Sequence, residues 1–197
     1  MHEGGIDKAR RRFLTTTATV VGGAGAIAAA VPFVSTMTPS ERTKALGAPV
    51  DVDISDVLMS DMKRVSWQGK VVLILRRSKE QLSTLPGLDD KVSDPTSDEE
   101  QQPKYAKNEY RSIKPEYLIV QGWCTHLGCV PSYIRKGEYP EIPDWQGGFI
   151  CPCHGSRYDL AGRVFKAMPA PLNLIVPPYK YLSDTVIRIG DDSGATS

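Results

Sequence analysis

Cys124-Thr125-His126-Leu127-Gly128-Cys129 and Cys151-Pro152-Cys153-His154-Gly155-Ser156 are the two stretches around which the rest of the sequence is organised. They contain all four cysteines of the 197-residue chain and two of its three histidines. Cysteine and histidine are the side chains that bind soft and borderline metals. Because each stretch supplies two Cys and one His, the pattern indicates one metal site formed by two loops of similar design.

A structural zinc site with two Cys and two His ligands is one interpretation of the two stretches. Zinc sites of that kind usually take a Cys pair from one arm and a His pair from the other, whereas each arm here mixes the two. Covalent haem attachment is a second interpretation, but it requires Cys-x-x-Cys-His. The chain has the shorter spacing Cys-x-Cys-His at residues 151–154, which argues against haem.

The third interpretation is a 2Fe–2S centre in which two His replace two Cys on one iron, the Rieske arrangement. Its ligands would be one Cys and one His from each stretch, namely Cys124, His126, Cys151 and His154. Cys129 and Cys153 would remain and could then form a disulfide between the loops. This interpretation accounts for all six residues in one site, while zinc stays open as the alternative.

Both stretches resemble the ligand motifs of the Rieske iron–sulfur subunits of ubiquinol–cytochrome c reductase, the cytochrome bc complex, of the bacterial type. Ser156 and Tyr158 stand where that family places hydroxyl donors to a bridging sulfide and a cysteine sulfur. Residues 169–174, Pro-Ala-Pro-Leu-Asn-Leu, are similar to the family's proline loop, which covers the cluster. The resemblance covers nearly the whole chain and implies one Rieske 2Fe–2S cluster.

The resemblance also implies the fold class and the domain organisation. We expect a mainly β protein, with an N-terminal transmembrane helix and a Rieske-type antiparallel β-sandwich head that carries a small cluster-binding subdomain at about residues 122–175. The expected divisions are a cytoplasmic tail at 1–12, a transmembrane signal-anchor helix at 13–37, a hinge or linker at 38–49 and the Rieske domain at 50–197.

Residues 13–40 carry no charged side chain and follow a basic run that ends in Arg10-Arg11-Arg12. About 20 apolar residues cross a bilayer as a helix, so this segment is long enough. A cleaved secretory signal is the alternative, which Ala28-Ala29-Ala30 leaves open. Residues 10–14 resemble a twin-arginine signal, which serves prefolded proteins. The sequence thus predicts a single-pass anchor in the bacterial inner membrane, with a cytoplasmic N-terminus and a periplasmic head.

The function implied by the resemblance is electron transfer in the respiratory chain. The chain would take one electron from ubiquinol at the outer quinol site and pass it to a c-type cytochrome, coupled to proton release and proton-motive force. It would act as one subunit of an oxidoreductase and translocase, with cytochrome b and a c-type cytochrome as partners in a dimeric complex. His154 would hydrogen-bond the quinol, with His126 beside it, as the catalytic residues.

Two other functions remain open from the sequence. One is a stand-alone Rieske ferredoxin-type electron carrier or an oxygenase domain, which typically lacks the extra cysteines and a membrane anchor. The other is a zinc-stabilised binding module. The formal net charge of +1 gives no reason to propose a nucleic-acid partner.

Apolar patterning predicts the strands that support the two loops. Residues 50–54 alternate apolar and polar side chains, and residues 71–75 form a continuous apolar run that predicts a strand buried on both faces. Gln68-Gly69 predicts a tight turn between strands at 63–67 and 70–76.

Further strands are predicted at 116–120 and 147–150, each leading into one metal-binding loop, and at 186–190. Ser78 is a candidate N-cap of a short helix. Residues 89–107 are rich in charge, Gln, Pro and Ser, and are predicted to form a solvated loop without a site. Residues 133–145 are predicted to form a loop between the two arms.

Overall fold

The N-terminal part of the chain forms one long helix, α1 (Lys8–Thr36), in a computed structural model that describes residues 7–195 apart from the side chain of Leu46. The Asp7 carboxylate caps α1 by accepting from the backbone N–H groups of Ala9 and Arg10. The helix is exposed along its whole length, and of the described residues it alone is long and apolar enough to cross a membrane. A short helix, α2 (Glu41–Leu46), lies where the sequence predicted a connector.

Strands are the main regular structure in the remaining described residues. The bounds are β1 (Val50–Asp53), β2 (Met62–Trp67), β3 (Lys70–Arg76), β4 (Tyr117–Gln121), β5 (Ser132–Ile134), β6 (Gly148–Ile150), β7 (Arg157–Tyr158), β8 (Tyr179–Tyr181) and β9 (Val186–Ile189). These strands form three antiparallel, three-stranded sheets in the orders β1-β9-β8, β2-β3-β4 and β5-β6-β7. The prediction of a mainly β protein is confirmed.

The sheet β2-β3-β4 is the apolar base beneath the first cysteine–histidine loop. Gln68 and Gly69 both have left-handed backbones, with φ of 53° and 71°, as a two-residue hairpin turn requires. Four consecutive residues of β3, from Val72 to Leu75, have no exposed surface, which confirms the prediction of a strand buried on both faces. Because β4 pairs with the buried strand β3 as far as Gln121, the first loop starts from a fixed position at the end of β4.

The sheet β5-β6-β7 supports the second loop and depends on one glycine. Gly148 has φ of 147°, and a Cβ there would lie 2.1 Å from the carbonyl oxygen of Tyr158. Only glycine permits this close approach of β6 to β7. The segment 133–145, which was predicted to be a loop, is partly strand, since β5 includes its first two residues. Its last residue, Trp145, is buried.

Between β3 and β4 the chain forms α3 (Lys79–Ser83) and two 3₁₀ turns, Pro86–Lys91 and Lys104–Ala106. Ser78 caps α3 through a capping box with Gln81, as predicted.

The prediction that residues 89–107 form a solvated loop is wrong for part of that segment. Val92, Ser97, Gln101 and Ala106 are buried. Their side chains pack inward while the charged residues between them face solvent, a distinction that composition does not reveal.

Candidate metal centre

The first cysteine–histidine loop follows β4 and closes on itself through its own backbone. The N–H of Gly128 donates to the carbonyl oxygen of Cys124 at 2.9 Å, and the N–H of Cys124 donates to the carbonyl oxygen of Cys129 at 2.7 Å. Gly128 has φ of 85°, so the turn uses the left-handed region that glycine adopts readily.

The second loop, between β6 and β7, repeats this design. The N–H of Gly155 donates to the carbonyl oxygen of Cys151 at 3.0 Å, and the N–H of Cys151 donates to that of Ser156 at 2.8 Å. Gly155 has φ of 73°. The spacing of both backbone hydrogen bonds is the same in the two loops, so the similar design predicted from the sequence is present in the backbone.

Cys129 and Cys153 form a disulfide that joins the tips of the two loops, with their Cα atoms 6.5 Å apart. The sequence predicted this pairing because Cys129 and Cys153 are left over by the proposed ligand set, and the pairing is confirmed. The sulfur of Cys151 lies within 4.8 Å of both disulfide sulfurs. Those two sulfurs have no thiolate to offer a metal, so Cys124 and Cys151 are the cysteines that remain for binding.

The loops bring the two free cysteines and the two histidines to one end of the head. Cys124 and Cys151 are 3% and 2% exposed. The rings of His126 and His154 have centroids 4.8 Å apart at an angle of 81°. All four side chains predicted as ligands therefore lie in the two clasped loops.

The Nδ1 atom of His126 is buried and has no hydrogen-bond partner within residues 7–195. An unpaired buried nitrogen costs free energy unless something else binds it. Together with two buried thiols, this nitrogen fits a metal cluster on the inner side of the loops.

The two free thiols differ in their acidity. Burial opposes ionisation of Cys124, but hydrogen bonds from the Tyr158 hydroxyl, the His126 N–H and Ser156 outweigh it and lower its pKa. Burial, together with the adjacent Cys124, raises the pKa of Cys151. Two thiolates this close repel each other, and a bound cation removes that obstacle. The donor set thus fits an iron–sulfur cluster.

Hydroxyl groups surround the Cys124 sulfur. The Tyr158 hydroxyl donates to Cys124 Sγ at 3.2 Å and accepts from the N–H of Thr125 at 3.2 Å. Ser156 is fully buried, and its Oγ accepts from the N–H of Ala170 at 3.0 Å, which leaves its own proton free to donate. The Tyr158 hydroxyl therefore contacts a cysteine sulfur, while the roles of Ser156 and Tyr158 as donors to a bound cluster stay predictions.

Residues 169–174 lie against the first loop. The Thr125 hydroxyl donates to the carbonyl oxygen of Leu172 at 2.6 Å. Leu127 and Leu172 are 72% and 40% exposed, so two apolar side chains flank the histidines at the surface. Sequence reasoning did not identify the role of Thr125, although its position between two proposed ligands was a usable signal.

Comparison with known proteins agrees with this geometry. Residues 96–180 match the model of the Rieske [2Fe-2S] domain, and residues 1–40 match that of the ubiquinol–cytochrome c reductase Fe-S subunit TAT signal. The ubiquinol–cytochrome c reductase iron-sulfur subunit of Allochromatium vinosum is 53% identical over 97% of this chain and 93% of its own length. The chain belongs to that family of iron–sulfur subunits.

The subunit of the same name from Blastochloris viridis is 43% identical, over 92% of each chain. A chain of a hyperthermophilic respiratory complex III is 25% identical, with a TM-score of 0.47, over 87% of this chain and 98% of that one. As a Rieske family member, the chain carries a Rieske-type 2Fe–2S cluster. Membership of this family supports the iron–sulfur interpretation of the two stretches over the zinc interpretation.

Proposed function

We propose that this iron–sulfur subunit takes one electron from ubiquinol and passes it to a c-type cytochrome within a cytochrome bc complex. The observation that carries the proposal is the meeting of two buried free thiols and two adjacent imidazoles at one exposed end of the head. That arrangement offers a protected electron site with proton-carrying groups at the surface.

The proposed ligands are one Cys and one His from each loop, Cys124, His126, Cys151 and His154. The cluster, when bound, exchanges one electron, and its imidazole ligands allow a potential of about −150 to +300 mV. Ser156 and Tyr158 would donate to its sulfurs and favour the reduced state, because added negative charge strengthens those hydrogen bonds. The unpaired Nδ1 of His126 supports the assignment of that atom as a ligand.

His154 is the residue that we assign to quinol binding. Its side chain is exposed, whereas His126 is half-buried. If one nitrogen of His154 bound the metal, the metal's charge would favour loss of the proton from the outer nitrogen. That deprotonated nitrogen could then accept a hydrogen bond, and afterwards a proton, from a quinol hydroxyl. Quinol oxidation releases protons as well as electrons, so it is favoured where a proton acceptor lies next to an electron acceptor. His126 would lie beside this contact as the second catalytic residue.

The apolar surface beside the histidines suits a docking partner. Trp123, Leu127, Leu172 and Ile175 line a shallow depression of about 340 Å³ together with His126. Exposed leucines around a polar reactive group would suit contact with an apolar quinol pocket, which we place in cytochrome b. Cytochrome b, a c-type cytochrome and a second copy of the complex are the proposed partners.

The helix α1 is the proposed membrane anchor. Its 29 residues would span about 44 Å at 1.5 Å per residue, more than a bilayer core of about 30 Å. The basic residues Lys8 to Arg12 would keep the N-terminus cytoplasmic and the head periplasmic. Protons released by quinol oxidation would then emerge on the outer side, which makes the complex a translocase. The proposed divisions remain 1–12, 13–37, 38–49 and 50–197.

Complementation of a strain that lacks this chain tests the proposal. Membranes with the unmutated chain should reduce a c-type cytochrome at the expense of ubiquinol, and the chain should copurify with cytochrome b. Membranes with Cys151→Ala should contain the other subunits but show no such activity. Full activity in the strain without the chain would contradict the proposal, as would a chain that purifies alone with its cluster and never with cytochrome b.

A further inference from the structure

Residues 169–174 are bonded through their backbone to groups that surround the Cys124 sulfur. The N–H of Ala170 donates to Ser156 Oγ, and the carbonyl oxygen of Leu172 accepts from the Thr125 hydroxyl. A shift of this loop would therefore change the direction of the Ser156 hydroxyl and the position of Thr125, whose N–H contacts Tyr158.

The far end of this loop is held by a buried arginine outside the two cysteine–histidine stretches. Arg111 Nη2 donates to the carbonyl oxygen of Leu174 at 2.7 Å and to Gln102 Oε1 at 3.0 Å. Its Nη1 donates to the carbonyl oxygens of Ala161 and Gly162, each at 3.2 Å. One planar side chain thus fixes the end of the loop to the turn that follows β7.

A second tie joins the same loop to the long segment between β3 and β4. The side-chain oxygen of Asn173 accepts from the N–H of Val164 at 2.9 Å, and its Nδ2 donates to the carbonyl oxygen of Asp94 at 3.1 Å. Asn173 is fully buried. The loop is therefore bonded on one side to the metal-binding loops and on the other to residues 94–111.

Arg111 makes these hydrogen bonds at a cost in folding free energy. Its side chain is fully buried, and burial lowers its pKa to about 10, so it is still a cation at neutral pH. Its backbone has φ of 52°, a conformation that L-residues rarely adopt, and Nε has no partner in the described part of the chain. Buried charge and left-handed backbone both oppose folding. Strain of this kind points to a geometric requirement rather than to stability.

We propose that Arg111 is a positioning residue for the electron site, because it fixes the end of residues 169–174 and so holds Ser156 and Thr125 in register with the Cys124 sulfur. The inference rests on the proposed ligand set and adds a residue whose side chain bonds to none of the four proposed ligands. Arg111 acts through backbone carbonyl oxygens. The planar guanidinium binds several of them in fixed directions, and a lysine ammonium group cannot reproduce that geometry.

The test is a redox titration of the cluster in the intact complex, followed by electron paramagnetic resonance (EPR), for the unmutated chain and Arg111→Lys. The weaker hydrogen bonds at Cys124 should favour the oxidised state. We expect the equilibrium constant for reduction to fall by about three- to tenfold, where tenfold corresponds to 59 mV for one electron. The EPR line positions should shift, with iron content unchanged.

Arg77→Lys is the matched control. Arg77 is also fully buried and also donates to backbone carbonyls, those of Tyr110, Pro115 and Leu160, but it makes no bond to residues 169–174. Arg77→Lys should lower the unfolding temperature, as Arg111→Lys should, but it should leave the redox potential of the cluster unchanged. Equal shifts of potential in both variants would overturn the proposal, because general loosening would then explain them.

A milder variant decides the matter if Arg111→Lys fails to retain its cluster. Gln102→Leu leaves Arg111 in place and removes one of its four acceptors. A smaller shift in the same direction supports the proposal, and an unchanged potential and spectrum overturn it. If the variants behave like the unmutated chain while that chain shows a normal Rieske signal, only this inference fails. Absence of that signal from the unmutated complex would refute the proposed function itself.

Discussion

The base sheet β2-β3-β4 and the two cysteine–histidine loops are stabilised by different kinds of interaction. In the base, Val72 to Leu75 are buried on both faces and regular strands satisfy the backbone. In the loops, strands have only two or three residues, and the structure depends on glycine turns, a disulfide and single hydrogen bonds. The base therefore carries stability, while the loops carry geometry that a metal and a cross-link complete.

Removal of a proposed ligand should separate the two regions most sharply. His126→Ala should abolish the 2Fe–2S spectrum, since no other described side chain is located to replace that nitrogen. The base should remain folded, because its core does not include His126. Absorption and EPR spectra report the cluster, and circular dichroism reports the strands. A normal spectrum at full iron content would show that the ligand assignment is wrong.

Truncation of a core side chain in the base sheet should have the opposite effect, lower stability with an unchanged cluster. Leu73 is fully buried in the central strand, so Leu73→Ala should lower the free energy of unfolding by about 2–5 kcal/mol. The potential of the cluster that remains bound should not change. Chemical denaturation and a redox titration measure the two quantities. A shifted potential with unchanged stability would mean that the two regions are not separable in this way.

Loss of the disulfide should loosen the two loops and also lower the free energy of unfolding. Cys129 and Cys153 are 24 residues apart, and a cross-link over such a span contributes about 3.5 kcal/mol to the free energy of unfolding by chain entropy. Cys129→Ala should lower cluster retention and alter the potential, and the double variant with Cys153→Ala should be no worse. Mass spectrometry without reduction checks the bond in the unmutated chain. Two free thiols at Cys129 and Cys153 would contradict the disulfide that joins the two loops.

The smallest effects are expected from the hydroxyl donors. Tyr158→Phe and Ser156→Ala each remove one hydroxyl near Cys124 and leave every proposed ligand in place. A hydrogen bond to a charged group is worth about 1.5–3 kcal/mol. Only the difference between redox states affects the potential, so we expect a fall of tens to roughly a hundred millivolts. Unchanged potentials in both variants would leave these residues with a packing role only.

The same contrast explains what the sequence could predict. Hydrophobic runs and the Gln68-Gly69 turn identified the base strands, and the cysteine–histidine spacing identified the loops. The strands β5, β7 and β8 were missed because two or three residues carry no periodic signal. Arg111 was missed because a buried arginine bound to carbonyls looks, in sequence, like any charged residue of a polar loop.

Ligation by two histidines is the central claim, and nitrogen hyperfine spectroscopy of the reduced intact complex tests it most directly. With ¹⁵N-labelled histidine incorporated, the EPR-active cluster should show couplings to two ligand nitrogens, from His126 and His154. Unlabelled protein provides the ¹⁴N control. Couplings to two nitrogens would support one Cys and one His from each loop. A cluster signal without histidine nitrogen coupling would contradict the account.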